Sequence, residues 1–224
     1  MKKKIIGIFV CILFFGASVV SGINNQIEET EKSSRGNTLY VGGTGGGNYS
    51  KIQDAIDNAS DGDTVFVYDD SAPYYEYVVI NKSIDFIGEN RDTTVIDGGN
   101  TGDVVYVGAD WVNITGFTIK NGTIGIHLYS SSNNNTITGN TASNNYYGIY
   151  LRSSSNNTVT GNNASNNFCG IFLESSSNNM VTGNTANSNN YTGIHLDSSS
   201  NNTITGNNAS NNDYGIYLLS SSNN

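Results

Sequence analysis

The chain has 224 residues, of which 10 are Lys or Arg and 19 are Asp or Glu, for a net charge of −9. That imbalance argues against nucleic acid as a partner, which calls for a basic face. Two cysteines in so long a chain provide no disulfide framework.

Met1-Lys2-Lys3-Lys4, the apolar run from Ile5 to Val20 and the small residues Ser21 and Gly22 have the form of a secretory signal peptide over 1–22. The apolar run falls short of the roughly 20 residues a membrane span needs, so no span is expected after cleavage behind Gly22. Cleavage removes three lysines and Cys11, leaving 7 basic against 19 acidic residues, a net −12, and Cys169 as the remaining thiol. Cys11 lies inside the apolar run and not at its end, which does not suit a lipid anchor. The expected location is extracellular or at the cell surface, or periplasmic in a host with two membranes. Residues 23–37, INNQIEETEKSSRGN, are polar and aperiodic and read as a linker.

Ser50-Lys51-Ile52-Gln53 has the spacing of a capping box, and Ile52, Ala55, Ile56 and Ala59 follow at helical intervals before Gly62. This predicts one short helix that covers the apolar top of whatever follows, where open strand edges would invite other chains. Short β runs come next, at Asp63–Tyr68, Tyr77–Ile80, Ile84–Ile87, Thr94–Ile96, Val104–Val107 and Val112–Ile119. Residues 38–124 are thus a cap and a set of irregular coils.

From Gly125 the sequence repeats. Copies open at Gly125, Gly148, Gly170, Gly193 and Gly215, 22 or 23 residues apart, the first four each with a Gly-Ile-x-Leu run, a Ser/Asn turn and a second short apolar run, the fifth breaking off after the turn. Such a copy has no room for an amphipathic helix, so residues 125–224 are predicted to be a solenoid of stacked short strands. Alternation sends Ile126, Ile149, Ile171, Ile194 and Ile216 inward with Leu128, Leu151, Leu173, Leu196 and Leu218. Ile137, Val159, Val181 and Ile204 form a second buried file, and Asn140, Asn162, Asn184 and Asn207 recur as an internal amide ladder. The two residues that lengthen copies are expected in turns, at Asn133-Asn134-Asn135 and Ala186-Asn187-Ser188. Asn-x-Ser/Thr sequons at Asn134, Asn156, Asn163, Asn190, Asn201 and Asn208 follow from this composition, and none is assigned a glycan. The chain breaks off at Ser222-Asn223-Asn224, halfway round a copy, so further coils or a protein partner are expected at that end.

The segments YSKIQDAIDNASDGDTVFVY, YYEYVVINKSIDFIGENRDTTVIDGG and VNITGFTIKNGTIGIHL resemble the opening of pectin-lyase-like parallel β-helix proteins of the NosD or carbohydrate-binding and sugar-hydrolysis type. The resemblance covers about Leu39 to Asn224. It implies an all-β, right-handed parallel β-helix of three sheets, on secreted or surface proteins that bind or cut polysaccharides or have no known activity. It also implies a possible link to copper, because NosD proteins are associated with copper-site maturation of nitrous oxide reductase.

Two columns of equivalent positions project from the stack. His127, Tyr150, Phe172, His195 and Tyr217 give one ring per coil at steps of about 4.8 Å. An exposed file of this kind could stack on successive sugars, while the competing reading is that the rings stack on one another. The next column, Tyr129, Arg152, Glu174, Asp197 and Leu219, sets Glu174 beside Asp197, near the separation of about 5 to 5.5 Å at which a retaining glycosidase holds its carboxyls. Arg152 neutralises part of that pair and joins the candidate ligand-binding residues. The Gly-His-Gly and Asp-Asp motifs of polygalacturonases are absent from the repeat region that begins at Gly125. The candidate copper ligands are His127, His195, Cys169 and Met180, but the two histidines are three coils apart, roughly 14 Å by strand spacing. Cys169 and Met180 fall on different sides of one coil, so neither a metal site nor a cofactor is expected. The sequence supports an extended binding surface for a polysaccharide or surface glycan, or a structural surface spacer. The alternative is a lyase, hydrolase or epimerase that uses Glu174 and Asp197 as catalytic carboxylates.

Overall fold

A computed structural model describes residues 36–224. The signal peptide and all but the last two residues of the linker expected from the sequence lie outside this range. Gly36 and Asn37 already belong to the first coil, through hydrogen bonds from Gly36 N–H to the Gly62 carbonyl (3.1 Å) and from Asn37 N–H to Asp63 Oδ1 (2.7 Å).

The chain enters as β1 (Thr38–Val41), turns through α1 (Ile52–Asn58) and continues as β2 (Thr64–Val67), β3 (Val78–Ile80), β4 (Asp85–Gly88), β5 (Val95–Asp97), β6 (Asp103–Val107), β7 (Asn113–Thr115) and β8 (Thr118–Lys120). The regular repeats supply β9 (Ile124–Tyr129), β10 (Thr136–Thr138), β11 (Thr141–Ser143), β12 (Tyr147–Arg152), β13 (Thr158–Thr160), β14 (Cys169–Glu174), β15 (Met180–Thr182), β16 (Thr192–Asp197), β17 (Thr203–Thr205) and β18 (Tyr214–Leu219). Every pairing is parallel, and each strand pairs with its equivalent one coil away. Sheet A has eight strands, in the order β1-β2-β4-β7-β10-β13-β15-β17, and sheet C has seven, β3-β6-β9-β12-β14-β16-β18. Sheet B, β5-β8-β11, thins after three strands to single bridges, Thr141–Asn163, Asn163–Thr185 and Thr185–Asn208. The result is a right-handed parallel β-helix.

The core is a set of inward files. Ile126, Ile149, Ile171 and Ile194 are fully buried, as are Leu128, Leu151, Leu173 and Leu196. In the coil that carries β18, Ile216 and Leu218 are 48% and 45% exposed. A third file on sheet B narrows along the axis, from Ile96 and Ile119 to Ala142, Ala164 and Ala186.

The corners are built from polar ladders. Asn162 Oδ1 accepts the backbone N–H of Asn140 at 2.9 Å while its Nδ2 donates to the Ile137 carbonyl at 2.8 Å, and Asn184 and Asn207 repeat the arrangement. Each amide thus satisfies a donor and an acceptor that the bend at Gly139, Gly161 or Gly183 strands inside the core. Two further Asn ladders run in parallel, through Asn135, Asn157, Asn179, Asn202 and Asn224 and through Asn145, Asn167, Asn189 and Asn212. A Ser ladder joins Ser154, Ser176, Ser199 and Ser221. In the earlier coils the Asn140 corner gives way to apolar filling: Phe117 N–H donates to Asn140 Oδ1, and the Phe117 ring stacks on Phe86 at 4.3 Å.

The ladders also fix where the longer copies absorb their extra residue. Ser132 aligns with Ser154 and Asn134 with Asn156, so the first insertion is at Ser130-Ser131, both left-handed (φ 54° and 72°), and not at Asn133–Asn135. Asn189 stays in register with Asn167 and Asn212, which pushes the second insertion to Asn190 and not to Ala186–Ser188.

Helix α1 forms where the spacing predicts, with Ile52, Ala55 and Ile56 buried against β1, β2 and β3. Its caps come from elsewhere. No side chain at the N-cap bonds to the first turn; instead Glu76 accepts the N–H groups of Ile52 (2.9 Å) and Gln53 (3.0 Å). At the other end Lys82 Nζ donates to the carbonyls of Ile56, Asp57 and Ala59 at 2.7 to 2.9 Å. An acid at the N-terminus and a base at the C-terminus both suit the helix dipole. Gln53 pairs its amide with both Val79 N–H (2.8 Å) and Val79 C=O (3.3 Å), so it occupies the edge of β3 that a neighbouring strand would use.

Candidate functional site

Sheet C carries the residues singled out by the repeat. Its strands bend at the glycine that opens each copy, and a Cβ on Gly170 would lie 2.6 Å from the Gly193 carbonyl and 2.7 Å from that of Ala164. These glycines are fixed by the closeness of the next coil. The bend turns an additional column outward, Ile124, Tyr147, Cys169, Thr192 and Tyr214, beside the ring column.

The ring column is in register, with His127 on Tyr150 on Phe172 on His195 on Tyr217. Successive ring centroids are 4.6 to 4.9 Å apart, and the first three steps are tilted by 4°, 7° and 23°. The expectation of an open ligand-binding stripe is corrected here. His127, Tyr150 and Phe172 are only 7 to 8% exposed, because each ring gives both faces to its neighbours while Ile124, Tyr147, Cys169 and Phe168 close around the stack. His195 and Tyr217 are partly exposed, toward the end of the same pile. A sugar needs a ring face, and in this column the faces are taken. A second stack, Tyr146, Phe168 and Tyr191, stands alongside with centroids 4.5 and 5.3 Å apart. These rings close successive copies, at positions to which the sequence analysis assigned no column.

Glu174 and Asp197 are partners in the register of β14 and β16. Glu174 is already engaged: the Tyr150 hydroxyl donates to its Oε2, and Arg152 Nε lies 3.2 Å from the same oxygen. Burial and the Glu174 bond push the Tyr150 phenol well above its usual range. Asp197 accepts the Ser198 hydroxyl at 2.9 Å. Arg152 also lies over the Tyr129 ring, 5.5 Å from its centroid. The outermost row of the sheet is therefore Tyr129, Arg152, Glu174 and Asp197, one polar or aromatic group per coil, all solvent-accessible.

A separate groove lies at the start of the sheet, at the opposite end of the strands, where Asp103 is the register partner of Ile124. Tyr77, Thr101, Gly102 and Asp103 line a cleft of about 440 Å³, and Tyr75, Glu76, Asp97 and Gly99 extend it. Tyr75 and Tyr77 are 72% and 55% exposed. Asp103 Oδ2 is 2.7 Å from His127 Nδ1, which ties the groove to the top of the ring pile. Burial, with the Asp103 carboxylate beside it, raises the Tyr77 phenol. Nothing periodic marks this groove, since it belongs to the irregular coils.

Cys169 and Met180 lie on different sheets, as their spacing requires, in β14 on sheet C and β15 on sheet A. Cys169 is buried and its thiol is pushed up to about 12 by desolvation, whereas Met180 is 46% exposed. Tyr150 and Phe172 separate His127 from His195, and Nε2 of each histidine is buried without a hydrogen-bond partner among the described residues. Burial lowers the pKa of His195. Among the described residues no three His, Cys, Asp or Glu side chains converge.

Residues 56–224 match the model of a family described as periplasmic copper-binding protein (NosD). No curated protein matches the chain. Among solved structures, an alginate lyase from Paenibacillus sp. str. FPU-7 is similar, at 12% identity and a TM-score of 0.41, over 83% of this chain and 99% of that one. The family is described as periplasmic, in keeping with the periplasmic or extracellular location expected from the sequence. With the family match running from the cap helix through every regular repeat, the chain belongs to the NosD family of parallel β-helix proteins.

Proposed function

We propose that this protein is an exported, non-catalytic β-helix that binds an extended saccharide along the outer edge of sheet C. The observation that carries the reading is the row Tyr129, Arg152, Glu174 and Asp197, held in register one group per coil and open to solvent. A step of about 4.8 Å per coil suits one sugar unit per rung of an extended chain. The polar row supplies donors and acceptors for hydroxyls, and the Tyr129 ring supplies apolar contact. Glu174, bound by Tyr150 and Arg152, is placed to accept hydroxyls and not to deliver a proton, which favours binding over the lyase, hydrolase or epimerase alternative.

Copper, named in the family description, does not fit the donors among the described residues. The histidines are separated by two rings, the thiol is buried with its pKa raised, and the thioether is on another sheet.

A panel of alginate, homogalacturonan, xylan and cellulose tests the proposal by scoring both retention of the protein and new reducing or unsaturated ends. Retention without new ends, weakened by Tyr129→Ala and Arg152→Ala, is the expected result. New ends that vanish in Glu174→Gln would transfer the protein to the enzyme class. Failure to bind any polymer would reduce it to a surface spacer.

A further inference from the structure

A further exposed aromatic feature lies on sheet A, at the start of the stack. Tyr40 on β1 and Phe66 on β2 are partners in register, and Tyr68 follows just beyond the end of β2. The Tyr40 and Tyr68 rings are 5.9 Å apart and tilted by only 23°, while Phe66 stands edge-on to both, at 6.0 and 5.1 Å. Phe66 thus backs the pair, and Tyr40 keeps 42% of its surface open. Unlike the rings of sheet C, this group has no stack of equivalents to use up its faces.

A glycine-rich loop forms the opposite wall. Tyr40, Tyr68, Gly43, Thr44, Gly45, Gly46, Asn48 and Asp70 line a cleft of about 580 Å³, within the size range of small-molecule sites. Gly43 lies so close to Tyr68 that a Cβ there would come within 2.7 Å of the ring, and its φ of 71° also demands glycine. Asp70 is held in place, its Oδ1 accepting Gly43 N–H (2.9 Å) and the Ser71 hydroxyl (3.1 Å). Asn48 is held by Nδ2 donating to the Gly42 carbonyl at 2.6 Å. Each side chain keeps an oxygen, Asp70 Oδ2 and Asn48 Oδ1, for a ligand.

We propose that the Tyr40–Tyr68 cleft is a second saccharide site, specific for a neutral or N-acetylated pyranose. The ring pair offers a flat apolar surface, and the fixed oxygens are acceptors that call for hydroxyl donors. Lys and Arg are missing from the lining, and Asp70 repels carboxylate or phosphate, so uronates are excluded. A quaternary amine would need rings set as a box around it; two near-parallel rings 5.9 Å apart leave no space between them. Tyr40 and Asn48 precede residue 56, where the family match begins, and the site is on a different sheet from the row on sheet C, so it stands or falls independently of that reading.

Titration of the full chain with cellotriose, N,N′,N″-triacetylchitotriose, trigalacturonate and choline, followed by calorimetry or saturation-transfer NMR, tests the site. Saturable binding of one of the first two is expected, weakened about tenfold by Tyr40→Ala and by Asp70→Asn. Tyr40→Phe should retain binding, and Trp111→Ala, at an exposed ring outside both sites, should leave it unchanged. Thermal melts of each variant separate lost contact from lost fold. Absence of binding by both neutral probes, equal binding of trigalacturonate, preferential binding of choline, or indifference to Tyr40→Ala in a folded protein would each overturn the proposal.

Discussion

The side chain of Asn162 closes the corner that the backbone of Asn140 opens: Oδ1 accepts the Asn140 N–H at 2.9 Å, and Nδ2 returns a proton to the carbonyl of Ile137 at 2.8 Å. Both backbone groups are buried, so one amide replaces two hydrogen bonds that water would otherwise make.

Asn162→Leu should therefore destabilise the protein by about 3 kcal/mol, since two buried polar groups lose their partners. Asn166→Gly, at an exposed left-handed turn (φ 61°), should be near neutral. Chemical denaturation of the two variants side by side checks the contrast.

Two glycines of neighbouring copies, Gly161 and Gly170, should respond unequally to alanine. Gly170→Ala places a methyl 2.6 Å from the backbone of the next coil and should cost about 3 kcal/mol, whereas Gly161→Ala meets open space and bears only the strain of φ 63°, about 1 kcal/mol. Thermal melts should rank them in that order.

Phe172→Ala should behave as a core truncation, with a loss of about 3 kcal/mol, because the ring is stacked on both sides and 8% exposed. A loss close to zero by urea titration would contradict the closed pile.

Burial holds the His195 imidazole below its ordinary pKa, so the unfolded chain binds more protons than the native one in the window between the folded value and about 6.5. Stability contributed by neutral His195 is present above that window and is lost as the pH falls through it. Asp197 on the same strand opposes the shift and reduces it. Replacing the residue with the ring found one coil earlier, His195→Phe, should flatten the pH dependence of the melting temperature between about pH 7 and pH 5.5 relative to the parent.

The Cys169 thiol, buried and pushed up to about 12, should resist alkylation by iodoacetamide at pH 8 in the native protein and react once the protein is unfolded. Mass spectrometry of the Cys169 peptide reads this directly.

The sequence alone determined the period, the inward Ile, Leu and Val files and the Asn140 ladder, because alternation along a strand and recurrence between coils are both properties of spacing. It could not say which of several identical Ser or Asn residues is the extra one, since only hydrogen bonds to the next coil distinguish Ser130 from Ser132 or Asn190 from Asn189. It also could not show that Glu76 and Lys82, distant in the chain, cap α1. Nor could spacing tell a ring with free faces from one without. Tertiary structure decided that point, because exposure depends on what neighbouring coils put against a side chain: the periodic rings from His127 to Phe172 are consumed by their own copies, while the unrepeated Tyr40 and Tyr77 stay open to solvent.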